Sequence, residues 1–380
     1  MTSFELSEDH EIFRKVVREF AQNRIAPHAA QWDQDHYFPV EVVKDMGNLG
    51  LFGLIFPEEW GGGGGDFASL CVAIEELGRV DQGIGITLSA AVGLGANPIF
   101  RFGNQEQKNT WLPDLVAGRA LGAFGLTEPD AGSDAGATRT RAERDGDTFT
   151  LNGAKAFITN SGTPITSVVT VTARTTEGIS TFLIPAGTPG FVVEPSYRKL
   201  GWHSSDTYGL TLTDCRVPDT CLLGAPGRGF KNFLSILDDG RIAISALAVG
   251  CAQACLDMSV DYAKQRQAFG GPIGRFQAIA FSLADLAVSV ENARNLTYKA
   301  AWLKQAGRPI GQAAAMAKLY ATEAAVTATR IATQVFGGSG FIEETPVARF
   351  YRDAKILEIG EGTSEIQRLV IARSLDLPVA

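Results

Sequence analysis

Three stretches of this sequence concentrate residues that could do chemistry. In ILEIGEGTSEIQR (356–368), Glu361 stands between Gly360 and Gly362, behind an apolar run and ahead of a helix start. A carboxylate hemmed in by apolar surface loses solvation, and its pKa climbs into the range useful for a general base. The flanking glycines would let a ligand approach the backbone. The plainer alternative is an exposed Glu at a helix start. In FGLTEPDAGSD (124–134), Thr127, Ser133 and the backbone amides around Gly132 could wrap a pyrophosphate or a flavin. The alternative there is a surface loop joining helix to sheet. In YAKQRQAFGGPIGRFQA (262–278), Lys264 and Arg266 supply positive charge suited to phosphates, or else decorate a solvated helix end.

Other motifs carry less. The GGGGG run at 61–65 lacks the Lys-Ser/Thr of a P-loop and reads as a pliable connection before a helix. No glycine fingerprint follows a strand, so a dinucleotide cofactor would be held without a Rossmann unit. His10, His28, His36 and His203 do not pair at metal-binding spacing, and no metal is expected. Cys251 and Cys255, one helical turn apart, read as small core residues. No Gly-x-Ser-x-Gly is present, and Ser196 to Lys199 matches Ser-x-x-Lys without the companions a β-lactamase needs.

The chain that must position these residues has 380 of them, 45% hydrophobic and 20% charged, with net charge −8. That suits two or three domains, excludes disorder over most of the length, and disfavours a protein that coats nucleic acid. Five cysteines without framework spacing point to a reduced, cytoplasmic compartment. The start, MTSFELSEDHEIFRK, lacks the pattern of a targeting segment. The longest uncharged run, Gln82 to Phe100, holds Gly83, Gly85, Gly93, Gly95, Asn97 and Pro98, and so reads as buried helix and turn, not a membrane span.

The first part of the chain reads as helical. Ser7 is a plausible N-cap, Ile12, Phe13, Val16, Val17 and Phe20 recur at helical spacing, and Pro27 ends the run. Pro39 can open a second helix and Asp66 a third, with Leu70, Ala73, Ile74 and Leu77 inward; Asn104 caps a segment that stops near Gly118. Near residue 120 the pattern changes. TFTLNGAKAFIT (148–159) reads as two short runs joined by an Asn152-Gly153 hairpin turn. SVVTVTA (167–173), STFLIPA (180–186), FVVEPSY (191–197) and GLTLTD (209–214) are further strands. After Gly229 helices return at 230–265, 276–306, 312–336, 346–358 and 364–375, the last opened by a Ser364/Gln367 capping box. The expected class is α+β multidomain: a helical domain at 1–119, a β domain at 120–226 and a helical bundle at 227–380.

Taken in order, seven segments give the chain an end-to-end resemblance to the acyl-CoA dehydrogenases. They are FPEEWGGGGGDFASLCVAIEELGRVD (56–81), LTEPDAGSD (126–134), LNGAKAFITN (151–160), the FG-PIG-FQA run (269–278), QVFGGSGF (334–341), RDAKI (352–356) and EGTSEIQR (361–368). The resemblance implies an N-terminal helical domain, a middle β-barrel-like domain and a C-terminal four-helix bundle. It also implies FAD bound partly across a subunit interface of a homotetramer, with no Rossmann unit.

The implied reaction is α,β-dehydrogenation of an acyl-CoA thioester, a carboxylate removing the α-proton while a hydride leaves the β-carbon for flavin N5. Glu361 matches that base. Relatives that carry the base on the first bundle helix have it at the position of Gly240 here, so Glu361 is the one candidate of the two. The thioester carbonyl would accept from the Glu361 N–H, a preorganised donor for developing negative charge. By position, Phe124, Leu126, Thr127, Gly132 and Ser133 match a flavin and pyrophosphate loop, and Phe157, Ile158 and Thr159 match residues lining the flavin ring. Arg266, Phe269 and Gln277 match contacts to a neighbouring subunit's FAD; Gln334, Val335, Phe336, Gly337 and Gly338 match its adenosine site; Thr363 and Glu365 match a further flavin contact. Ser133, Asp238, Arg241 and Gly362 match substrate positions.

Two departures stand out. Phe157 replaces the Trp of many relatives, which puts an electron-exit role for that side chain in doubt, and Gly360 replaces a Tyr, which would widen the acyl pocket. The implied electron acceptor is an electron-transfer flavoprotein. The competing readings are an oxygen-using oxidase of the same fold and a non-catalytic scaffold.

Overall fold

The computed structural model describes residues 5–379. Helices come first: α1 (Glu8–Phe20), α2 (Ala29–Asp35), α3 (Val40–Asn48), α4 (Phe67–Gly78), α5 (Gln82–Ala90), α6 (Asn97–Phe102) and α7 (Gln105–Val116). The expected caps are made. Ser7 caps α1, Asp66 accepts from the Ser69 N–H at 2.8 Å, and Asn104 and Gln107 cap α7 reciprocally. The uncharged run differs from the reading above. A wide π-type stretch, Ala91–Ala96, joins α5 to α6 with no turn between them. The glycines there serve packing: a Cβ at Gly85 would meet Leu247, and one at Gly95 the Gly122 carbonyl. Gln82–Phe102 and α8 (Gly229–Gln265) are both long and apolar enough to cross a membrane, but 89% and 78% of their apolar windows are buried in the chain's own core.

The middle region is one eight-stranded sheet. Its strands are β1 (Leu121–Gly125), β2 (Arg141–Asp145), β3 (Thr148–Thr159), β4 (Thr166–Thr175), β5 (Gly178–Pro185), β6 (Phe191–Ser196), β7 (Thr207–Pro218) and β8 (Leu222–Leu223). They lie in the order β6-β7-β3-β2-β4-β5-β8, with β1 parallel to β4. The hairpin expected at Asn152-Gly153 is absent, because residues 148–159 form one strand. Gly153 instead marks a bulge against β7, where a Cβ would lie 2.5 Å from the Thr140 hydroxyl. The turn is at Gly146-Asp147, where Asp145 pairs with Thr148. Phe149, Leu151, Val171, Phe182, Ile184, Leu210 and Val217 fill the core of this region.

Helix α8 then starts the last part, followed by the short ribbon β9 (Gln267–Ala268) and β10 (Gly271–Pro272), then α9 (Gln277–Gln305), α10 (Gly311–Phe336), α11 (Pro346–Ala354) and α12 (Ser364–Ser374). α8 packs on α4, α9 and α10, and α12 packs on α10. Alanines 314, 315, 317, 321, 325, 328 and 332 give α10 a flat buried face that lets its neighbours approach closely. The expected Ser364/Gln367 capping box does not form. Thr363 is the N-cap, accepting from the Ile366 N–H, while the Ser364 hydroxyl is buried without a partner. The three regions meet where the Asp353 carboxylate accepts from the Trp202 N–H at 2.6 Å and Asp33 pairs with His203 and Arg352. Burial pushes Asp353 up to about 7.

Candidate active site

Glu361 sits in the turn between the end of α11's extension and α12. Its φ is 55° and that of Gly362 is 89°, two successive left-handed residues. The turn folds the carboxyl group inward against α8, where a Cβ on Gly240 would lie only 2.6 Å from Oε2. Position 240 therefore faces the same point in space as the Glu361 carboxylate, and only glycine leaves room for it. Oε2 is buried without a partner, and the Glu361 N–H makes no hydrogen bond among the described residues. Burial pushes the Glu361 carboxyl up to about 7, against the opposing pull of Arg241 and Lys318. An exposed Glu, the plainer alternative above, is thereby excluded.

Beside it, Arg241 Nη1 donates to Asp238 at 2.6 Å, while its Nε is buried and unpartnered. Burial raises the Asp238 carboxyl, and Arg241 opposes the rise. Gly362 gives its carbonyl to Lys318 Nζ and to the Gln367 amide, both at 2.8 Å. Thr363 caps α12, and exposed Glu365 is held low chiefly by its own backbone N–H and then by the Thr363 hydroxyl.

A second cluster forms where β1 runs out beside β3. The Ala156 N–H donates to the Thr127 carbonyl at 2.9 Å, tying the 124–134 loop to the strand that carries Phe157, Ile158 and Thr159. Phe157 lies in a bulge between Lys155 and Ile158, with φ 61°, its ring 65% exposed and tilted on Tyr197. Phe124 stacks on Phe233 of α8 at 3.8 Å, and Leu126 packs in the same cluster, so this loop abuts the bundle. The hydroxyls of Thr127, Ser133 and Thr159 make no hydrogen bond among the described residues, and a Cβ on Gly132 would meet nothing. These uncommitted donors beside an exposed ring suit a planar, polyphosphate-bearing cofactor.

The third cluster is separate. Phe336 stacks on Tyr262 at 4.1 Å, and Val335 packs with Ile273 and Phe276, which joins Gln334–Gly338 to the Arg266–Gln277 segment. Phe269 is 89% exposed, and Arg266, Gln277, Gln334, Gly337 and Gly338 are exposed too. No hydrogen bond or ring contact among the described residues joins this cluster to Glu361. Lys318 and Gln334 are sixteen residues apart on α10, roughly 24 Å by helical rise.

Several supporting residues escaped the sequence reading. Buried Lys155 donates to Glu128 at 2.7 Å, and Glu128 also accepts from the Arg139 and Thr140 N–H groups, knitting the 124–134 loop to the sheet. Burial lowers Lys155 to about 8. Asp206 accepts from the N–H groups of Asn160 and Gly162 and fixes the turn after Thr159; burial raises it to about 6. Lys318 was missed as well, and Gln367, read as part of a capping box, instead donates to the Glu361 and Gly362 carbonyls. The available signal was a lone lysine inside AAAMAKLYA (313–321), a charge where a buried helix face should be apolar.

Comparison with known proteins bears on the family and the fold. Sequence models of the acyl-CoA dehydrogenase N-terminal, middle and C-terminal domains match residues 7–119, 123–215 and 227–375. A Bacillus subtilis relative named "Probable acyl-CoA dehydrogenase YngJ" is 52% identical over 98% of this chain and 99% of its own. The structure of butyryl-CoA dehydrogenase from Megasphaera elsdenii superposes with a TM-score of 0.95 at 44% identity, covering 98% of this chain and 100% of that one. A chain in a structure described as the electron transferring flavoprotein of Acidaminococcus fermentans gives 0.96 at 44% identity, covering 98% and 99%.

Proposed function

From the premise that the chain belongs to the acyl-CoA dehydrogenase family, and is thus an oxidoreductase with FAD as its cofactor, we propose that it dehydrogenates short or branched acyl-CoA thioesters with Glu361 as the base. The observation that carries this reading is the pairing, in one residue, of a buried carboxylate oxygen and a backbone N–H that both lack a hydrogen-bond partner among the described residues. The carboxylate takes the α-proton. The N–H donates to the thioester carbonyl, where negative charge develops, and a donor fixed in a dry site stabilises that charge without reorganising. FAD, when bound, supplies the acceptor for the hydride that leaves the β-carbon. Arg241 and Lys318 favour the ionised form of Glu361, and Asp238, paired with Arg241, would face the CoA moiety.

Thr127, Ser133, Phe157, Ile158 and Thr159 would hold the flavin, with Phe124, Leu126 and Gly132 shaping the loop. Thr363 and Glu365 would add a contact from the start of α12. Arg266, Phe269, Gln277 and Gln334–Gly338 would meet the FAD of a neighbouring copy in a homotetramer. Support for this comes from the exposure of Arg266, Phe269, Gln277, Gln334, Gly337 and Gly338, and from the separation of Gln334 along α10 from Lys318 beside the base. Electrons would pass to an electron-transfer flavoprotein. Domain boundaries near 119 and 226 suit this division of labour.

The test is Glu361→Gln, titrated anaerobically with butyryl-CoA while the flavin spectrum is followed. FAD should stay bound and bleaching should slow by about a thousandfold, within the range general bases supply. Substantial bleaching would place the base elsewhere. For substrate scope, a Cβ on Gly360 has only the Ile356 carbonyl, at 3.5 Å, within reach. Gly360→Tyr should therefore fold and should penalise isobutyryl-CoA more than butyryl-CoA; an equal penalty on both would sink the wide-pocket idea.

A further inference from the structure

Lys318 is fully buried on the alanine-lined face of α10. Burying an ammonium is costly unless its hydrogen bonds are well placed. Its ammonium donates at 2.8 Å to the Gly362 carbonyl, not to the Glu361 carboxylate. From α12, the Gln367 amide donates to that same carbonyl at 2.8 Å and to the Glu361 carbonyl at 3.3 Å. The Gly362 carbonyl is thus held from two helices, α10 and α12, and the Glu361 carbonyl from α12 alone, and both acceptor sites on the Gly362 oxygen are filled. The Glu361 N–H and Oε2 are left uncommitted. The turn requires such holding, because left-handed backbone is sparsely populated by a residue that carries a Cβ. A lysine bonded directly to the carboxylate would instead lower its basicity and block it.

We propose that Lys318 and Gln367 are positioning residues for the reaction, clamping the Glu361–Gly362 turn by its carbonyls so that the carboxylate and the N–H of Glu361 both stay aimed at the substrate. Lys318 also favours the ionised carboxylate from a distance. This rests on the reading of Glu361 as the base. The charges facing Glu361 are Arg241 on α8 and Lys318 on α10; those facing Lys318 are Glu361, Arg241, Glu358 and Glu365. Burial lowers Lys318 to about 8, so it is mostly cationic at neutral pH.

The experiment compares pH profiles of kcat and kcat/KM with butyryl-CoA for the wild-type holoenzyme and for Lys318→Met, Lys318→Arg, Gln367→Met and Glu361→Gln. Loss of the cation in Lys318→Met should move the acid limb of kcat/KM up by about one pH unit, or about tenfold lower kcat/KM at pH 6. Lys318→Arg should keep the limb in place and lose part of kcat. Gln367→Met should keep the limb and lower kcat about fivefold with KM little changed, as expected for misaimed geometry. Unchanged kcat in both Lys318→Met and Gln367→Met, with Glu361→Gln inactive, overturns the clamp and leaves the base standing. An active Glu361→Gln overturns the base reading itself. If Lys318→Met yields no holoenzyme, unchanged kcat in both Lys318→Arg and Gln367→Met overturns the proposal.

Discussion

The Glu361 turn and the Arg266–Gln334 cluster share the same long helices yet are built in opposite ways. Around Glu361, α8, α10 and α12 converge, carbonyls are tied by Lys318 and Gln367, and Gly240 leaves space for the carboxylate alone. Around Arg266, side chains stand in the open, and Phe269, 89% exposed, meets its own chain only edge-on at Phe276 among the ring contacts of the described residues. Exposed aromatic side chains of this kind are characteristic of surfaces completed by a partner. The contrast separates two tasks. On the proposed roles, proton abstraction takes geometry fixed within one chain, whereas the long cofactor is held jointly with a neighbouring copy.

The sharpest way to break this comparison is Gly240→Val. Branched methyls against Oε2 should displace the carboxylate and cut kcat about a hundredfold, while flavin content and melting temperature change little. A near-normal kcat would mean that the turn is not rigid. Next comes pH. With the Glu361 carboxyl at about 7, protonation removes the base, so kcat/KM should fall tenfold per unit below about pH 7 and level off above it. A flat profile from pH 5 to 8 would contradict a base with that pKa. In the open cluster, Arg266→Ala should weaken FAD binding about tenfold, the scale of a lost charged hydrogen bond, and leave the rate of flavin reduction in reloaded enzyme unchanged. A slowed reduction step would erase the distinction between the two regions. The smallest effect is expected for Thr363→Ala, a lost helix cap worth about 1 kcal/mol in chemical unfolding.

Much of the local structure was legible because its causes are local. Ser7, Asp66 and Asn104 cap helices through bonds that span only three residues. The strand runs at 167–173 and 180–186 declared themselves through β-branched residues. The misreadings share a cause as well. Asn152-Gly153 has turn chemistry, yet its glycine is needed for close approach to Thr140, just ahead of β2. Ser364 has cap chemistry, but Gln367 is drawn away by two carbonyls of the preceding turn, and Thr363 takes the cap. In each case a contact distant in space or competing nearby outweighed a correct local preference.

Residue pattern alone was enough for the succession of helices, strands and helices and for singling out Glu361 as a candidate base, with an exposed Glu at a helix start open beside it. Hydrophobic period and residue type express these through neighbours along the chain. Packing in three dimensions decided that Glu361 faces Gly240, that its N–H makes no hydrogen bond among the described residues, and that Lys318, forty-three residues earlier in the chain, donates to the Gly362 carbonyl. Basicity and aim depend on desolvation and on hydrogen bonds from helices that meet in space, and neither is a property of sequence spacing.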